Sequence, residues 1–68
     1  MKIEFSDTEY RFEHGKAPRG YGYWYFTFEG FERWERGTLT EAKKKCRDFI
    51  RAIAPEGYAE TVIVNIEP

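Results

Sequence analysis

YGYWYFTFEGFERWERGTLTEAKKKCRDFIRAIA, residues 21–54, carries the change of period that decides the fold. Up to Arg36 the residues alternate as they do in strands. Gly22, Trp24, Phe26 and Phe28 fall on one face, and Tyr21, Tyr23, Tyr25 and Thr27 fall on the other. Glu29-Gly30 supplies a tight turn into a second strand over residues 31–36, whose expected inward anchor is Trp34. Beyond Thr38 the apolar residues Leu39, Ala42, Cys46, Phe49, Ile50 and Ile53 recur at spacings of three and four, the mark of an amphipathic helix. Thr38 with Glu41 three residues later reads as a capping box, with Thr40 as an alternative N-cap, and Pro55 and Gly57 stop the helix near Ala54.

Upstream, Ile3, Phe5, Tyr10 and Phe12 alternate with charges, and the parity changes at Ser6-Asp7. That pattern predicts one bent strand or two short ones. GKAPRG, residues 15–20, reads as a hairpin loop leading into the strand at Tyr21. Downstream, residues 60–66 form a last strand with Val62, Val64 and Ile66 on one face. The elements therefore run β-β-β-α-β. The expected class is α+β: a single four-stranded, mostly antiparallel sheet with one helix packed on one face. The last strand should lie beside the first and parallel to it, reached by a right-handed crossover. Trp24, Phe26, Phe28, Trp34, Phe49 and Ile53 are expected to form the centre of the core. The opposite sheet face, with Tyr21, Tyr23, Tyr25 and Ile63, is left without a cover.

Sixty-eight residues make one domain spanning 1–68, too small to spare much stability for a deep catalytic cavity. Eleven Lys and Arg against twelve Asp and Glu give a net charge of −1, which argues against a polybasic nucleic-acid tail. Aromatic residues at 19% are too many for a disordered chain, even at a mean hydropathy of −0.74. The single cysteine, Cys46, can form no internal disulfide, and there is no second Cys to complete a metal site with His14. No apolar run approaches the length of a membrane span, and MKIEFSDTEY is charged where a signal peptide would be apolar. A complete, cytoplasmic protein without cofactor or metal is the expectation.

Three constellations could carry function. Tyr21, Tyr23 and Tyr25, spaced two apart on one strand, form a flat platform that can accept a partner's apolar side chains or stack bases; strand propensity alone also favours tyrosine there. Lys16 and Arg19 sit between two glycines in the 15–20 loop and could hold an anion, although Gly15-Lys16 followed by Ala17-Pro18 is not a phosphate-binding loop of the Walker type. The helix carries five cations, among them Lys44, Arg47 and Arg51, against Glu41 and Asp48, a local net charge of +3 in a chain of net −1. Such a face could meet phosphates or an acidic protein patch, and solvated lysines opposite a helix core are also the rule. Catalysis has no evident carriers: His14 is alone, Cys46 lies on the apolar stripe, and no serine is placed near a base.

The stretch YGYWYFTFEG followed by a charged strand and GTLTEAKKK resembles the arm-binding domains of tyrosine integrases, in which a three-stranded sheet precedes a Glu-Ala-Lys-bearing helix. Those domains insert a basic sheet face into DNA. Here the strands carry Glu29, Glu32 and Glu35 beside Arg33 and Arg36, and a further strand follows the helix. Residues 21–54 are also similar to small uncharacterised phage and prophage proteins with an aromatic strand and a Glu-Ala-Lys helix. That second resemblance implies a non-enzymatic module that binds and modulates a macromolecule. A protein partner is the first expectation, met as a monomer or as a homodimer through the open sheet face. A single-stranded nucleic acid or nucleotide, held by the tyrosines with Lys16 and Arg19, is the alternative.

Overall fold

The computed structural model describes residues 1–68 and contains β1 (Lys2–Ser6), α1 (Thr8–His14), β2 (Tyr21–Phe28), β3 (Phe31–Thr38), α2 (Leu39–Ile53) and β4 (Thr61–Ile66). The strand-to-helix switch falls at Thr38. Its hydroxyl accepts from the Glu41 amide while the Glu41 carboxylate accepts from the Thr38 amide, so the capping box closes as the sequence implies. Extended geometry at Ala54, ahead of Pro55, ends the helix.

The sheet order is β1-β4-β2-β3. β4 runs parallel to β1 and antiparallel to β2, and β2 and β3 form an antiparallel hairpin, giving the expected α+β class with mostly antiparallel strands. Val62, Val64 and Ile66 are buried, which fits the central place of β4, whereas β1 carries Lys2 and Glu4 on its outer face as an edge strand can. Because β4 lies between β1 and β2, residues 15–20 are not a hairpin loop between paired strands. They belong to a longer connection that includes α1.

That helix replaces the second short strand expected around Tyr10 and Phe12. Two apolar residues in seven cannot distinguish a strand from two helical turns, and local interactions decide it. Asp7 and Arg11 form an i,i+4 ion pair at 2.9 Å, and Gly15, at φ 70°, caps the end by donating its N–H to the Arg11 carbonyl. Tyr10 stacks on His14 at 4.1 Å between centroids and leans on Trp24 at 5.9 Å, while Phe12 is left exposed.

The second difference is Trp34. Glu29 and Gly30 both take positive φ, 45° and 83°, forming the two-residue turn that pairs Phe28 with Phe31 and hence Tyr25 with Trp34. Trp34 therefore points outward and is 55% exposed, and it is not a core anchor. Its neighbours Arg33 and Glu35 face α2 instead. Glu35 is buried, paired with Arg33 at 2.6 Å, and the Arg33 guanidinium lies 4.2 Å over the Phe49 ring. The core centres on Trp24, Phe26, Phe28, Ala42, Cys46, Ile50 and the three buried residues of β4. Phe49 is half-buried at its margin and Ile53 is exposed, so the core lies nearer the N-terminal end of α2 than expected.

Cys46 is fully buried. Burial first, and the Glu35 charge second, push its thiol from 9.0 up to about 11. Native protein at neutral pH is therefore expected to react with a thiol reagent only as fast as it unfolds, and rapid modification would contradict the phase of α2. Since the folded state holds this proton more tightly than the unfolded one, the contribution of Cys46 to stability is full below about pH 9 and is lost between about pH 9 and 11. Urea melts across that range read the slope, which Cys46→Ala should reduce.

Candidate functional site

The hairpin register builds the open face. Tyr23, Tyr25 and Thr27 of β2 stand opposite Arg36, Trp34 and Glu32 of β3. Trp34 stacks on Tyr25 with centroids 4.3 Å apart and planes at 7°, and it meets Tyr23 edge to face at 5.3 Å and 80°. The Arg36 guanidinium lies 5.6 Å from the Tyr23 ring centre. Ile63 of β4 extends the apolar surface, and Tyr21, Tyr23, Trp34 and Ile63 are all at least 48% exposed.

Charge is ordered along this face. Arg19 and Arg36 lie toward the Tyr21 and Tyr23 end. At the Thr27 end the Tyr25 hydroxyl donates to Glu32, and the Thr27 hydroxyl donates to Glu67 at 2.8 Å. Glu67 is held there because its own N–H donates to the Tyr25 carbonyl at 2.8 Å. The hydrogen bond to Glu32 holds the Tyr25 phenol above its ordinary range, helped by desolvation and by the Glu32 and Glu67 charges. A hydrogen bond to Glu67, followed by repulsion from its charge, raises the Glu9 carboxyl in the same way.

Of the residues expected to bind, the structure gathers Tyr21, Tyr23, Tyr25 and Arg19 into one groove of about 310 Å3, together with Trp34, Tyr10, His14 and Glu67. Lys16 is exposed in the preceding loop and does not line the groove. Lys44, Arg47 and Arg51 lie on α2, the helix that covers the opposite sheet face. Lys44 is paired with Asp48 at 2.9 Å, holding that carboxyl below its ordinary range, and Arg47 lies 5.6 Å from the Phe5 ring centre. The tyrosine platform and the basic helix are thus two separate surfaces.

Sequence reasoning missed Trp34, Arg36 and Glu32 as members of the face. The signal was the two-residue turn, which fixes the pairing of Tyr25 with Trp34. It also missed a second, apolar groove of about 300 Å3 between the end of α2 and the β2–β3 turn, lined by Phe28, Phe31, Phe49, Ile53 and Pro55, with Tyr58 donating a hydrogen bond to Glu29. No three His, Cys, Asp or Glu side chains converge as a metal site would require. No helix is long and apolar enough to cross a membrane. No protein-family model matches the chain, and no match was found among curated proteins or solved structures.

Proposed function

We propose that the protein is a small non-enzymatic interaction module of phage or mobile-element type, which works in the cytoplasm by docking on a protein partner through the open aromatic face. The observation that carries this reading is the cluster of Tyr23, Trp34 and Tyr25, three interlocked rings on the sheet face opposite α2, with Tyr23 and Trp34 exposed and Tyr25 half-buried. Interface hot spots are built from such aromatics, which offer large rigid surfaces at low entropic cost. The cluster is pre-assembled, so a partner need not order it.

Charge favours protein over nucleic acid. Glu32 and Glu67 border the platform, and Lys44, Arg47 and Arg51 lie across the molecule from it. A nucleotide reading keeps one specific support, Arg19 beside Tyr21 and Tyr23 in the same groove. Salt separates the two, because phosphate contacts make affinity fall steeply with ionic strength and an apolar interface does not.

The double substitution Tyr23→Ala with Tyr25→Ala tests the proposal. Thermal unfolding is expected within about 8 °C of wild type, since the rings lie outside the buried core. Protein capture by the immobilised chain should be lost. If capture survives, or disappears only because the variant unfolds, the face is structural. Sub-micromolar, salt-sensitive binding of a single-stranded oligonucleotide would overturn the protein partner in favour of the alternative.

A further inference from the structure

The open face is polar along the strand direction, and its polarity has a simple complement. On β3 the outward residues run Glu32, Trp34, Arg36, so a carboxylate and a guanidinium flank the central indole at equal spacing. All three are exposed. Glu32 is held by the Tyr25 hydroxyl, and Arg36 lies against the Tyr23 ring, so both charges are positioned before any partner arrives.

We infer that the partner of this face is a second copy of the chain, packed sheet to sheet about a two-fold axis that lies in the interface and crosses β3 at Trp34. Such an axis reverses the strand direction. It places Arg36 of each copy over the partner's Glu32, and Trp34 over the partner's Trp34. The same rotation turns the Tyr23 end of one platform toward the Thr27 end of the other, bringing the Arg19 side near the partner's Glu67. Two-fold interfaces are self-complementary, and a surface with opposite charges equidistant from an aromatic centre meets that condition. A rotation that kept the strands parallel would set Arg36 against the partner's Arg36 and Glu32 against the partner's Glu32. The chain exposes 4775 Å2 in all, so the roughly 800 Å2 per partner of a standard interface would take about a sixth of its surface. This inference rests on the proposed docking role of the face and names its partner.

Sedimentation equilibrium of the full chain at about 100 μM tests it, with circular dichroism confirming the fold of each variant. Wild type is expected to sediment at twice its 8.1 kDa mass. Arg36→Glu alone and Glu32→Arg alone should each weaken the dimer about 100-fold, since each sets like charges opposite one another twice per dimer. Arg36→Glu combined with Glu32→Arg should restore it, because the reversed pair is again complementary. A wild-type monomer at that concentration, or a dimer that neither single reversal weakens, overturns the inference. If wild type is monomeric while Tyr23→Ala with Tyr25→Ala still abolishes capture of another protein, the second copy is wrong and the docking role stands. If neither self-association nor capture responds to any of these substitutions, both fall.

Discussion

Phe26→Ala is expected to destabilise the protein by about 3 to 5 kcal/mol, because it removes the largest fully buried side chain and leaves a cavity that the sheet cannot collapse. Phe26 contacts Phe5 edge to face at 5.4 Å and is paired with Ile66 across β2 and β4, so its ring joins three of the four strands. For 68 residues the total stability is on the order of 3 to 10 kcal/mol, so the substitution removes from about a third to all of it. Phe49→Ala should cost less, since Phe49 is half-buried at the core margin under Arg33. Urea titration followed by far-ultraviolet circular dichroism measures both. A loss below about 1 kcal/mol at Phe26 would mean that the sheet faces are reversed.

The second large effect concerns the charges beneath α2. Arg33→Met leaves the Glu35 carboxylate facing the core without its cation, and a loss of about 2 to 3 kcal/mol is expected. That is below the range for a fully buried pair, because the Arg33 side chain is 37% exposed and partly screened. Combining Arg33→Met with Glu35→Leu removes both charges, and the double variant should recover most or all of the loss. A cost under about 0.5 kcal/mol for Arg33→Met would show that water reaches Glu35. The pair also has a topological use. β3 is an edge strand, and inward-pointing charges discourage another chain from adding to such an edge.

The parts of the fold legible from the residues are those where one physical signal dominates. In α2, six apolar residues at helical spacing and a complete capping box point to one answer. In β2, the alternation of Trp24, Phe26 and Phe28 with the tyrosines is unbroken, and the three outward tyrosines followed from it. FERWER at β3 was harder, because each face carries one aromatic and two charges, so parity says nothing; only the register set by the turn at Glu29-Gly30 turns Trp34 outward. α1 was hidden because its seven residues bury none of their number, and helix formation there depends on the Asp7–Arg11 pair and the Gly15 cap. The insertion of β4 between β1 and β2 could not be read from any single strand, since consecutive strands are usually neighbours. Of the site, the three tyrosines were legible as one open face and Lys44, Arg47 and Arg51 as a separate helix surface; that Arg19 joins the tyrosines while Lys16 does not depends on the course of the long connection before β2, which no local pattern reveals.

Trp34 stands at the centre of the claim that the open face exists to associate, since it joins Tyr23 and Tyr25 and contributes nothing to the buried core. The decisive measurement is Trp34→Ala, with unfolding in urea and association read from the same preparation by sedimentation and by protein capture. A stability loss under about 1.5 kcal/mol is expected, together with association weakened at least about 30-fold, the effect of removing an interface anchor worth about 2 kcal/mol. Association unchanged in a folded Trp34→Ala variant would contradict the account.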